Sequence, residues 1–233
     1  MKPRPDRVNR YFLASLSLLC VTAIIGCAPS HPSGTISIDS QASNPRRLST
    51  SFGYGSYGVE AGDTSLVLST VPIQKLQSGD FTEAQIIHIQ LMWIPKAGST
   101  PVSKDSTNLV IRYIVLIDGE AGIYGGGGFA WPRGTVGKTG LGLDVTGSNL
   151  ALLHSTTGFK DLLSPAALRG WVGAPLNPEL MNRFRNTTSQ IVTDRLGKPM
   201  WIQNDHPAGE MNDEAIESII RAAGLLGTGT SPG

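Results

Sequence analysis

The chain has 233 residues, and its 19 Lys and Arg against 18 Asp and Glu give a formal net charge of +1. This balance argues against nucleic-acid binding, which requires a basic surface, so we expect no nucleic-acid partner. Hydrophobic residues make up 40% of the chain, enough for a packed core, and the two cysteines exclude a disulfide-dense scaffold.

The N-terminal segment has the pattern of a secretory signal. Basic residues are concentrated in residues 1–10, and residues 11–25 follow without a charge. As a helix these 15 residues would span about 22 Å, at about 1.5 Å per residue. A bilayer core is about 30 Å thick. The run therefore predicts a signal peptide over residues 1–26 rather than a membrane span.

The apolar run ends in the sequence Ile24, Ile25, Gly26, Cys27. Placed after a basic and then apolar segment, this sequence resembles the lipobox of bacterial lipoproteins. The resemblance covers residues 1–27 only. It implies cleavage between Gly26 and Cys27 and acylation of Cys27. An ordinary secretory signal, a membrane anchor and a buried helix with a chance cysteine remain alternatives.

The resemblance also implies a location and a partner. Membrane lipid would be the partner through acylated Cys27, and the protein would be anchored in the cell envelope. Ala28, rather than Asp, follows the cysteine. In a host with two membranes, this favours the outer membrane by the sorting pattern of lipoproteins.

The mature chain divides by composition. Residues 27–50 are rich in Pro and Ser and poor in large apolar side chains, which predicts a lipidated cysteine followed by a flexible tether. Residues 51–226 are expected to form a single mainly-β domain. C-terminal helices are predicted at about 177–196 and 212–223, and residues 227–233 are expected to form a disordered tail.

The fold class is predicted as α+β, an antiparallel β-sheet or sandwich followed by a short helical C-terminal part. Strand-like runs separated by turn residues carry this prediction. The clearest is residues 108–118, where five apolar residues share one face and should point inward, with Arg112 on the other face; they are Leu109, Ile111, Tyr113, Val115 and Ile117. Gly140 and Gly142 share a strand face, and we expect the helix over residues 178–196 to pack against them.

No motif in the sequence predicts catalysis or a cofactor. Residues 134–139 lack the upstream glycine of a phosphate-binding loop. Ser155 beside His154 could join a triad only through the fold, since no nucleophile-elbow motif is present. A cation could be bound by Asp205, His206, Glu210 and Asp213, but a plain polar turn explains them equally well. We therefore expect no catalytic, cofactor or metal residues.

The aromatic residues offer the one candidate surface. All four tryptophans lie beside Pro, Gly or turn residues, and a surface for stacking on a sugar or a partner could be formed by Tyr54, Tyr57, Trp93 and Trp131. Half-buried anchors at the edge of the core are the alternative.

The sequence thus favours a lipid-anchored, non-catalytic binding or scaffolding protein of the cell envelope. An envelope glycan or a protein would be its partner. The alternative is a lipid-anchored hydrolase that acts on envelope polymers.

Overall fold

The computed structural model describes residues 31–60, 63–96, 98 and 106–199. The predicted signal peptide, Cys27, the second C-terminal helix at 212–223 and the tail at 227–233 lie outside these residues. The described part holds nine strands and two helices: β1 (Ser33–Ser40), β2 (Arg47–Phe52), β3 (Tyr54–Glu60), β4 (Asp63–Ser69), α1 (Ile73–Ser78), β5 (Glu83–Leu91), β6 (Leu109–Ile117), β7 (Glu120–Arg133), β8 (Gly140–Ser155), β9 (Ala166–Pro175) and α2 (Pro178–Leu196).

The strands form one antiparallel sheet in the order β2-β1-β9-β8-β7-β6-β5-β4-β3. This confirms the expected antiparallel sheet with a modest helical part, and it is consistent with the α+β class. The sheet is one curled layer rather than two stacked sheets. Its concave face encloses the larger apolar core, and the helices cover part of its convex face.

The two edges of the sheet are joined by a single residue. β2 and β3 lie at opposite edges, yet only Gly53 separates them in the chain. The Gly53 amide donates a hydrogen bond to the Ser69 carbonyl at 3.4 Å, which places Gly53 beside β4. Tyr57 forms a parallel bridge with Leu176, just beyond β9. The sheet must therefore curl until its edges meet.

The predicted tether over residues 27–50 is wrong at residues 33–40 and 47–50, which lie in strands. β1 lies within it and pairs with β2 on one side and β9 on the other. Ile36 and Ile38 are fully buried, while Thr35, Ser37 and Asp39 lie on the opposite face. Composition concealed this alternation, because Ser33 and Ser37, two of the serines that suggested a tether, lie on the outward face of a strand.

β6 follows its predicted register, with one correction. Leu109, Ile111 and Tyr113 are fully buried in the concave core, and Arg112 lies on the other face as expected. Ile117, however, is 38% exposed, because it ends the strand at the open end of the curled sheet. The convex face of β6 is also buried, since Ile114 packs beneath the helices.

α2 begins where the sequence predicts. The Asn177 side chain accepts a hydrogen bond from the Leu180 amide at 2.9 Å, and the helix ends before Gly197, which is left-handed. Met181 and Phe184 pack on the convex face of the sheet. The six-residue α1, which the sequence analysis did not predict, lies on the same face.

The predicted partner of Gly140 and Gly142 is wrong. α2 packs mainly on β3, β4 and β7. The neighbour of Gly142 is instead Trp171 on the adjacent strand, because a Cβ at Gly142 would lie 3.2 Å from the Trp171 Nε1 atom. Close approach is present as expected, but an indole from the same sheet makes it.

Beneath α2 the convex face carries a buried histidine. His88 on β5 is almost fully buried, and burial, followed by the charges of Arg185 and Arg112, lowers its pKa to about 3. Arg185 is itself buried, and its Nη1 atom lies 3.7 Å from a carboxylate oxygen of Glu60. His88 is therefore neutral in the folded protein at neutral pH.

This histidine should make the protein less stable in mild acid. The pKa of His88 is about 3 in the folded state, against an ordinary value of 6.5. In mild acid, His88 is therefore protonated in the unfolded chain but stays neutral in the folded chain. The free energy of unfolding decreases as the pH falls from 6.5 toward 3. Between pH 7 and pH 5, we expect the free energy of unfolding to fall by about 2 kcal/mol through His88 alone.

Urea unfolding of the wild-type chain and of His88→Gln at the two pH values measures this loss. His88→Gln should flatten the difference, whereas the control His154→Gln should retain it. An equal loss in wild type and His88→Gln would contradict the assignment.

Candidate functional site

A cavity of about 300 Å³ opens at one end of the curled sheet. At this end β2 and β5 begin and β6 finishes, so the cavity enters the concave face between them. Its wall is mostly apolar and is formed by Leu48, Val115, Tyr124, Phe159, Leu162 and Leu163. A concave apolar cavity with a few polar groups is the usual form of a small-molecule site.

The segment between β8 and β9 forms one side of the cavity. Gly122 on β7 makes this possible, because a Cβ there would lie 2.2 Å from the Phe159 ring. Asp161 fixes the segment by accepting hydrogen bonds from the Tyr124 hydroxyl at 2.9 Å and from the Leu163 and Ser164 amides at 3.0 Å each. The cavity wall is therefore held in place before any ligand enters.

A partly buried hydrogen-bond network borders the cavity through Gln85, which lines it. The Gln85 carbonyl oxygen accepts a hydrogen bond from the Tyr113 hydroxyl at 2.6 Å and another from the Thr50 hydroxyl. The network links edge strand β2 to β5 and β6 across the concave face. Burial raises the pKa of Tyr113, and burial together with Asp161 raises the pKa of Tyr124. Both phenols therefore stay protonated.

The mouth of the cavity carries more positive than negative charge. Arg46, Arg47 and Lys160 line it, against the single carboxylate of Glu83. Arg47 forms an ion pair with Asp39, which also pairs with Arg169 at 3.0 Å. The polar end of the cavity therefore suits a neutral or anionic group better than a cationic one.

The structure divides the predicted aromatic surface. Trp93 and Trp131 both pack against Phe129, with ring centroids 6.0 and 5.2 Å from it. Tyr57 is fully buried, and its hydroxyl donates to the Lys138 carbonyl, so its expected place on a binding surface is wrong.

Tyr54 is 42% exposed but lies elsewhere. It pairs with Ser69, whereas the end of β5 nearest Trp93 pairs with Thr64. These positions are separated by about 17 Å at roughly 3.4 Å per residue. Tyr54 therefore does not share a surface with Trp93.

The other residues considered from sequence do not gather into a site. His154 and Ser155 are adjacent on β8, so their side chains leave opposite faces of the strand. Within the described ranges, no three His, Cys, Asp or Glu side chains lie close enough to hold a metal ion. His206 and its acidic neighbours lie outside these ranges.

Sequence analysis missed the cavity, because its residues come from distant segments without a motif. Leu48 was assigned to the tether, and Phe159 and Leu162 to no element. The run Leu162-Leu163 between two strands was the only available signal, and alone it does not distinguish a cavity wall from ordinary core.

No protein-family model, curated protein or solved structure matches the chain. Among the described residues, no helix has both the length and the apolar character needed to cross a membrane. Function is therefore argued from the site itself.

The network beside the cavity should couple the stabilities of Gln85 and Tyr113. Gln85→Leu removes the acceptor that the Tyr113 and Thr50 hydroxyls share and leaves them only their mutual contact at 3.4 Å, so we expect a loss of about 1–3 kcal/mol. Tyr113→Phe removes the same bond, so the double variant should be more stable than the sum of the single losses predicts, by about 1 kcal/mol.

Urea unfolding of the four chains measures this coupling. Gln90→Leu, on the convex face of the same strand, is the matched control and should show no coupling to Tyr113→Phe. Strict additivity of Gln85→Leu and Tyr113→Phe would contradict the network.

Proposed function

We propose that this chain is a lipid-anchored cell-envelope protein that binds a small, mostly apolar ligand in the cavity at the open end of its curled sheet. The binding is non-catalytic and needs no cofactor. The observation that carries the proposal is the cavity itself, a preformed apolar space with charged groups only at its mouth.

The apolar wall determines the body of the ligand. Burial of apolar surface contributes about 25 cal/mol per Å². Phe159 and Tyr124 pack edge to face, with ring centroids 6.3 Å apart, and form a firm surface for such contact. The volume of about 300 Å³ lies at the lower end of ligand cavities, which favours a compact acyl or ring-shaped body over a long polymer.

The mouth determines the other end of the ligand. Arg46 and Lys160 there would attract a carboxylate or another anion, while Glu83 would oppose it only partly. An amphiphile with an apolar body and an anionic end satisfies both regions of the site.

Anchoring rests on the lipobox-like sequence before Cys27. Acylation there would hold the protein at a membrane, and Ala28 favours the outer membrane where the host has two. The cavity lies near the Ser40 end of β1, far from the end that follows Cys27 in the chain. A ligand could therefore enter while the protein is anchored.

Filling the cavity should weaken ligand binding. Val115→Phe places a ring in the cavity, and we expect the affinity for a fluorescent dansyl-labelled fatty acid to fall at least about tenfold, or about 1.4 kcal/mol. Fluorescence titration measures this dissociation constant, with circular dichroism as the check on folding.

The matched control is Val59→Phe, which changes a partly exposed valine outside the cavity lining. It should leave the affinity unchanged. Saturable binding that Val115→Phe does not weaken would place the ligand elsewhere, and the absence of any binding would remove the support for an amphiphilic ligand.

Acylation of Cys27 is tested by intact-mass measurement on detergent-extracted protein. We expect a mass that lacks residues 1–26 and includes acyl groups, and we expect Cys27→Ser to remain an unprocessed precursor. The mass of an unprocessed or unmodified wild-type chain would contradict the anchor.

A further inference from the structure

Two tryptophans share a row on the convex face of the sheet. Trp131 on β7 and Trp171 on β9 both pair with Asp144 on the strand between them, so the three side chains point to the same side. Trp171 pairs in turn with Thr35 on β1. The row therefore extends from Trp131 on β7 to Thr35 on β1, the first strand of the described fold.

Both indoles are held by packing. Trp171 lies over Gly142 and is 36% exposed. Trp131 and Phe129 pack edge to face, and Phe129 also packs edge to face with Trp93. Trp93 is 38% exposed and is followed by the exposed Ile94. The result is an outward-facing aromatic surface, here called the tryptophan face, made of Trp93, Trp131 and Trp171 around the buried Phe129.

The length of chain before β1 restricts where this face can lie. β1 begins at Ser33, so only residues 28–32 separate it from Cys27. Six steps of extended chain reach at most about 20 Å. A domain tied to a bilayer by so short a segment cannot stand far above it.

The tryptophan face is the part of the sheet next to this connection. Ser33 pairs with Gly173, two residues from Trp171 in the same strand. Trp131 lies three strands from β1, which is about 14 Å at roughly 4.8 Å per strand. Both indoles therefore lie within the reach of the anchored chain.

We propose that the tryptophan face rests in the headgroup region of the bilayer that holds Cys27, an inference that rests on the anchoring proposed above. Tryptophan favours this region, because its ring is apolar and its N–H is polar. The cavity opens at the strand ends rather than on this face, so the contact leaves its mouth uncovered.

The charges around the face favour a contact that does not need anionic lipid. Arg133 pairs with Asp144 inside the row, and Arg169 pairs with Asp39 beside it. Asp39 also pairs with Arg47, so these three arginines face two carboxylates and the excess is only one positive charge. Zwitterionic phosphatidylcholine should therefore be sufficient.

Quenching by brominated lipid tests the orientation. Cys27 is the only cysteine from residue 27 onward, so the chain from Cys27 to Gly233, which contains every described strand and helix, can be coupled to a maleimide lipid. The vesicles are phosphatidylcholine with or without bromine near the carbonyl end of the acyl chain. We expect bromine to quench on the order of half of the tryptophan emission, since the face holds three of the four tryptophans.

Two variants locate the quenched residues. Trp131→Phe with Trp171→Phe should lose most of the quenching. Adding Leu162→Trp to that double variant places an exposed indole at the cavity end, and this added emission should not be quenched. Unquenched emission from the tethered wild-type chain overturns the proposal, whatever the variants do. Equal quenching in wild type and the double variant also overturns it.

The remaining outcomes distinguish failure of the orientation from failure of the anchor. They also distinguish membrane contact from binding of a glycan. Coupling through maleimide does not depend on natural acylation, so a chain that is acylated but unquenched refutes the orientation alone. A chain shown by mass to be unacylated refutes both the anchor and the orientation. If soluble muropeptide shifts the emission of the untethered chain through Trp131 while brominated lipid has no effect, the face binds glycan and the membrane contact is refuted.

Discussion

The joining of the two sheet edges at Gly53 is the constraint on which the structure depends. Consecutive strands that lie at opposite edges of a nine-stranded sheet can be connected by one residue only if the sheet curls far enough to bring those edges together. Curling gives the sheet a concave face, and the apolar side chains on that face form the larger core. It also brings unpaired edges toward each other, which limits the exposed edge that would otherwise invite aggregation.

The curl also explains why both faces of some strands are apolar. A flat antiparallel sheet usually buries one face and exposes the other. Here Ile111 points into the enclosed core, while Ile114 on the same strand packs under α2. Strands that the helices do not cover, such as β1, keep a polar convex face. The boundary between these two patterns marks where α2 lies.

Sequence alone was enough for the elements whose pattern is local. The alternation of β6 and the Asn177 cap of α2 are both found where expected, because each depends on neighbours within a few residues. β1 was not predicted, because its small polar residues resemble those of a linker. It is stabilised by pairing with β9, which lies more than 120 residues later in the chain. The partner of Gly142 was misjudged for the same reason: Trp171 reaches it from another strand, and no local spacing reports such a contact.

The candidate site also combines features that are local in the sequence with features that depend on the fold. Trp93 and Trp131 were identified from composition and do lie together, but the contact through Phe129 and the burial of Tyr57 depend on how the sheet curls. The cavity depends on it entirely, since Leu48 and Leu162 meet only when the edge carrying β2 turns toward β6. β1 spans about 26 Å at roughly 3.3 Å per residue. Its Ser33 end lies beside Trp171, whereas the cavity opens near its Ser40 end. The same curl that closes the core therefore separates an aromatic end of the domain from an open end, which is the separation that the proposed membrane contact and the proposed ligand site both require.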